Sequence, residues 1–204
     1  MKIRLFISMF LLLAVTCVGM LNLIPDTDAT SDTDKPVLIK RYSSTISLNE
    51  EELFGYADLV AQGKVKEVSE PKLVKTQPGT EDESFLIYKD YVFVIDEAFK
   101  GCKPTDEVTI RVPGGQVGKK EFITDGTAPE LNKKQILFLK QYQHEGAPDV
   151  AYVILCDSIG KYTIDNDEVR SFDKAHTTSS FKEKLSNLKE KHGDKIILPP
   201  GFIQ

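Results

Sequence analysis

Between residues 59 and 164 apolar residues recur at every second position in short runs. No segment there shows the three-to-four-residue spacing of an amphipathic helix. Residues 59–68 (LVAQGKVKEV) are rich in β-branched side chains, and Gly63 interrupts the alternation as a bulge or sharp bend. Residues 88–99 (YKDYVFVIDEAF) are apolar on both faces in the middle, which predicts a central strand ending at Lys100-Gly101. Residues 106–112 (DEVTIRV) alternate with Val108, Ile110 and Val112 inward, and Pro113-Gly114-Gly115 stops them. Residues 120–124 form a weaker strand, and 135–143 (QILFLKQYQ) and 150–157 (VAYVILCD) strong ones. Residues 159–164 (IGKYTI) are expected to extend the last strand into a hairpin. Some five to seven strands with regular turn signals describe a mainly β domain, a barrel or sandwich, and exclude a parallel α/β sheet.

Two helices flank this β region. Ser47-Leu48-Asn49-Glu50 has the spacing of a capping box and predicts a helix over about 48–57. Ser180-Phe181-Lys182-Glu183 repeats that spacing. Phe181, Leu185 and Leu188 form a narrow apolar stripe, and Gly193 is the stop signal, so this helix should lie on the surface of the β-structure.

The N-terminus points to a compartment. Lys2 and Arg4 precede residues 5–24, an uncharged run with sixteen apolar positions. A basic head before such a run reads as a secretion signal. Twenty residues also reach across roughly 30 Å of hydrocarbon, so residues 1–25 are a signal peptide or a signal anchor, with the remainder outside the cytoplasm. Thr27-Asp28-Ala29 is a poor cleavage site. Cys17 after Ala14-Val15-Thr16 is a candidate for lipidation, loosely of the bacterial lipoprotein kind. Residues 26–36 are polar and acidic and read as a flexible tether. Residues 37–204 then form the folded domain. An anchored leader makes the membrane one expected partner.

Composition excludes several functions. With 26 basic and 31 acidic residues the net charge is -5, which disfavours a nucleic-acid partner. Three Cys and three His argue against a disulfide-dense scaffold and a zinc site, and no cofactor is expected. Residues 113–120 (PGGQVGKK) miss the spacing of a phosphate loop and read as a glycine-rich turn. His144, His176 and His192 have no partner at ligand spacing, and no Gly-x-Ser-x-Gly occurs. Asp96-Glu97 and residues 165–168 are adjacent acids that point to opposite faces of a strand. Cys102 and Cys156 are a disulfide candidate, provided their Cα atoms come within about 7 Å. Such a bridge would contribute about 4 kcal/mol in the chain-entropy account. The alternative is two free thiols, with Cys156 buried in a strand.

The order of motifs resembles a known family. A helix leads into Ala57-Asp58-Leu59-Val60. Later come Ala98-Phe99-Lys100-Gly101 at a strand exit and Leu155-Cys156-Asp157 at a strand end. This series, over roughly 49–159, resembles the inhibitory domain of tissue inhibitors of metalloproteinases and its netrin-like relatives. The resemblance implies a small closed OB-like β-barrel with flanking helices, in an extracellular setting. Those inhibitors chelate the protease zinc through an N-terminal Cys-x-Cys, whereas residues 35–47 contain no cysteine, so that route does not carry over. The family cysteine that would pair with the Cys156 position falls at Gly55. Few cysteines and no Asn-x-Ser/Thr site suit a bacterial-type relative.

The functional expectation is a non-enzymatic binding or interaction module outside the cytoplasm, its partner a protein or a small ligand. The candidate surface is the long connection at residues 70–84 (EPKLVKTQPGTEDES), with Lys75, Gln77, Pro78, Glu81 and Asp82 as contact residues. The alternatives are a secreted protease inhibitor acting through that connection, and an enzyme of unrecognised type.

Overall fold

The computed structural model describes residues 36–41, 48–76, 84–144, 146–172 and 174–198. The expectations for the leader, the tether and Cys17 lie outside the described residues, as do Ser47, Gln77, Pro78, Glu81 and Asp82. The domain is mainly β. Its strands are β1 (Val37–Arg41), β2 (Leu59–Val68), β3 (Lys72–Lys75), β4 (Phe85–Lys100), β5 (Glu107–Pro113), β6 (Gly115–Val117), β7 (Lys120–Thr124), β8 (Lys134–Tyr142), β9 (Ala151–Ile154), β10 (Lys161–Asp165), β11 (Glu168–Arg170) and β12 (Ala175–Thr177). Two helices accompany them, α1 (Glu50–Tyr56) and α2 (Thr178–His192). The strand number exceeds expectation because β1, β3, β6, β11 and β12 are too short to show a period-two pattern.

The main sheet runs β12-β11-β10-β8-β2-β4-β5-β9, and β9 also pairs with β8. The five strands β8, β2, β4, β5 and β9 therefore form a ring of hydrogen-bonded neighbours. Four of its pairings are antiparallel, and β5 with β9 is parallel. The long strand β4 is central, as its apolar middle predicts. The expected hairpin after β9 does not form. Leu155 and Cys156 turn the chain into a short 3-10 helix, Asp157–Gly160, and β10 pairs with β8 and β11 instead. Cys156 and Asp157 take left-handed φ values of 49° and 50°, so Cys156 sits at a turn rather than inside a strand.

Bending the sheet into a ring requires irregular pairing. The β2–β4 ladder slips at three places, one of them between Gln62 and Gly63. A Cβ at Gly63 would lie 2.0 Å from the Val94 carbonyl oxygen, so only glycine allows β4 this close.

Alternation along β8 shows how the core divides. Leu137 and Leu139 face the inside of the ring with Leu59, Val65, Phe93, Ile95 and Ile110. Ile136 and Phe138 face outward, where the helices cover them with Phe54, Phe181 and Leu185. A third cluster joins Phe85 and Ile87 of β4 to Phe122 of β7. The small sheet β1-β7-β6 covers it, with Ile39 opposite Phe122.

Both helix starts differ from expectation by a few residues. Asn49, not Ser47, caps α1. Its Oδ1 accepts from Glu52 N, and Asn49 N donates to Glu52 Oε2. Asparagine caps as well as serine, and the displaced Glu50 is held in the core by Lys174 and Lys184. Thr177, not Ser180, caps α2. The stripe Phe181, Leu185 and Leu188 is buried, and Gly193 ends the helix with its N–H on Lys189 O, as expected.

The C-terminal end of α1 is closed by a buried cation. Lys100 is 1% exposed, and its Nζ donates to the carbonyls of Phe54, Gly55 and Lys195 at 2.8, 3.0 and 2.8 Å. An ammonium at a helix C-terminus satisfies carbonyls left free there and meets the negative end of the helix dipole.

Candidate functional site

Arg111 organises one side of the ring. It stands opposite Asp90 in the β4–β5 register. Its Nε and Nη2 donate to the two Asp90 carboxylate oxygens at 2.8 and 3.2 Å. Nη2 also donates to Asp149 Oδ1 at 2.9 Å, and Nη1 to the Asp149 carbonyl at 3.2 Å. The guanidinium lies 4.2 Å from the centre of the Tyr88 ring. Burial alone would raise the Asp90 pKa, but Arg111 and Lys72 outweigh it and hold the carboxyl below its usual range. Arg111 thereby ties residue 149, in the β8–β9 connection, to the ring of strands. Gly146 brings the same connection against β3. A Cβ there would sit 2.3 Å from the Lys75 carbonyl oxygen, and its φ is 77°.

Beside this anchor opens a cleft of about 620 Å³. Its apolar lining includes Ile39, Phe85, Leu86, Phe122 and Ile154. Its polar lining includes Arg41, Thr76, Ser84, Arg111, Thr124, Tyr142, His144, Cys156 and Asp157. Arg41 reaches the cleft because β1 alternates. Ile39 and Arg41 share its inner face, opposite Phe122 and Thr124 of β7. Thr76 and Ser84 are joined by a backbone hydrogen bond of 2.9 Å and a hydroxyl contact of 2.6 Å.

His144 stands edge-on to Tyr142 at 4.7 Å between ring centres. Its Nε2 is shielded from solvent and has no hydrogen-bond partner among the described residues. Burial, followed by the positive charges of Arg111 and Arg41, lowers its pKa, so the imidazole is neutral at pH 7. Burial and then the neighbouring Asp157 push the Cys156 thiol up. A protonated thiol is a poor nucleophile, and among the described residues His144 Nε2 has no partner that would make it a base for that thiol.

The other residues singled out from the sequence lie elsewhere. Cys102 and Cys156 are both free thiols, and they pack in different core clusters. Burial pushes the Cys102 thiol up to about 11, and its Sγ lies 3.4 Å from the Lys100 carbonyl oxygen. His176 stacks on Phe181, and His192 lies 2.9 Å from Glu51 Oε1. The glycine-rich stretch forms the β6–β7 hairpin, as the turn reading expects. Glu97 pairs with Lys182, and the acids at 165–168 make the β10–β11 turn. Of the proposed contact residues, Lys75 ends β3 and is exposed. The sequence did not bring Arg41, Arg111 and the cleft together. Its only local signal was an arginine amid the β5 alternation.

No family model matches the chain, and neither a curated protein nor a solved structure matches it.

Proposed function

We propose that the chain is a non-enzymatic binding module displayed outside the cytoplasm, built on a closed OB-like barrel, with the cleft as its ligand seat. Taken as strands one to five, β2, β4, β5, β8 and β9 pair in the order one-two-three-five-four-one, with three and five parallel. That is the Greek-key order of an OB barrel, and such barrels bind at the connections between strands one and two and between four and five. The cleft lies between those two connections, with Thr76 and Ser84 from one and His144 from the other. This coincidence carries the reading. The kinship with the metalloproteinase-inhibitor and netrin-like domains is part of the same proposal and is supported by the motif order in the sequence.

The test is a fragment screen by NMR on the full chain. Shift changes should gather on Arg41, Thr124, Tyr142 and His144. Changes scattered over the surface, or gathered elsewhere, would remove the cleft from consideration. For the compartment, the leader predicts recovery with the membrane or exported fraction, and recovery in the cytosol would refute it.

The pinned pair Thr76 and Ser84 favours a second reading, a protease inhibitor that acts through the 70–84 connection, of which Lys72–Lys75 form β3. Titration against a panel of secreted metalloproteases tests it, and no inhibition across the panel would retire it.

A further inference from the structure

We propose that the cleft seats an organic carboxylate carried on an apolar body, anchored by Arg41. The inference rests on the reading of the cleft as the ligand seat.

Charge balance selects the anion. Arg111 is satisfied by Asp90 and Asp149, so its positive charge is already matched within the wall. Arg41 also faces the cleft, is exposed, and pairs with no acid among the described residues. One unmatched guanidinium calls for one negative charge. A monoanionic carboxylate fits that balance better than a dianionic phosphate. Geometry adds a preference of its own, because a guanidinium fork matches the two oxygens of a carboxylate.

A second donor stands next to the anchor. Thr124 is the register partner of Arg41. Its Oγ1 accepts from Gly126 N at 3.1 Å, which leaves its own O–H free to donate into the cleft.

The rest of the ligand must be apolar. Ile39, Phe85, Leu86 and Phe122 form the lining beside Arg41, and a fully charged ligand would lose hydration there without replacement. The volume, about 620 Å³, lies within the range of small-molecule sites. A free aryl-alkyl acid and the C-terminal residue of a peptide share this chemistry.

The experiment titrates the full chain by calorimetry and NMR with 4-phenylbutyrate and its amide, and with a tripeptide ending in phenylalanine as free acid and as amide. Each acid should bind about tenfold or more tightly than its amide, the scale of one charge-assisted hydrogen-bonded contact. Arg41→Gln should abolish that preference, and Arg41→Lys should keep part of it. Because Arg41 is exposed, unchanged melting temperatures will show that the variants stay folded. Binding by the small acid alone assigns a metabolite-like ligand, and tighter binding of the peptide acid assigns a chain terminus. Equal affinity for acid and amide at the cleft, or a preference that survives Arg41→Gln, overturns the carboxylate and leaves the cleft standing. No perturbation of the cleft by any of the four compounds overturns both.

Discussion

Replacing Glu50 by glutamine probes how the helices are fastened to the sheet. Glu50 is 7% exposed at the start of α1 and takes its partners from distant segments. Lys174 Nζ lies 3.1 Å from Oε1, and Lys184 Nζ lies 3.2 Å from Oε2. The Tyr162 hydroxyl donates to Oε1 at 3.4 Å, and His176 Nε2 stands 3.6 Å away. Burial pushes the Glu50 pKa up, but Lys174, the Glu50 amide and Lys184 together outweigh it and hold the carboxyl at about 2, against 4.5 unperturbed. At about 1.36 kcal/mol per pKa unit this difference is worth about 3 kcal/mol of stability. Because the folded-state pKa is depressed, the stabilisation is complete above the unfolded pKa and is lost as pH falls toward 2. Urea denaturation of wild type and Glu50→Gln should therefore differ by about 3 kcal/mol at pH 7 and by about 1 kcal/mol at pH 3, with little left at pH 2. A difference independent of pH, or a variant as stable as wild type at pH 7, would refute the assignment of the fastening to the Glu50 charge.

Other perturbations have equally direct outcomes. Gly63→Ala places a methyl group against the Val94 carbonyl and should destabilise the domain by about 3 kcal/mol or more, read as a fall in thermal midpoint. A neutral effect would mean that the β2–β4 bulge is not tightly packed. Lys100→Met removes the donor to three carbonyls and should cost about 2–4 kcal/mol. Amide exchange should then quicken at Ile197, whose N–H bonds to Gly55 O, and unchanged exchange there would contradict the capping role. Native Cys102 and Cys156 should react slowly with a thiol reagent at pH 7, since both thiols are pushed up by burial, and rapidly after denaturation. Free-cysteine rates in the native protein would contradict their protonated state.

How far the residues announced these features depends on the range of the interaction. The strand at β8 and the stripe on α2 were legible, because each depends on spacing within one segment. The stop at Gly193 and the bulge at Gly63 were legible for the same reason, each being a position where a side chain is disfavoured by its immediate backbone. The capping residues were misplaced by two or three positions, since Ser47, Asn49, Thr177 and Ser180 are all competent caps and packing chose between them. Arg111 had the pattern of an outward polar residue on β5. It is buried because Asp90 stands opposite it on β4, a pairing visible only once the register is known. Cys156 had the pattern of a strand residue, but β9 ends at Ile154 and the chain turns there.

The amino-acid order alone determined that this chain makes strands and a flanking helix, because alternation and stripe are properties of neighbouring residues and need no knowledge of what they pack against. Only the tertiary structure decided that β9 returns to β8 and closes the ring, that Lys100, Glu50 and Arg111 are buried, and that Arg41 comes to face a cleft. The physical reason is that strand pairing and charge neutralisation join groups far apart in the chain. A lysine or an arginine therefore carries no local sign of whether water or a distant carbonyl or carboxylate will satisfy it.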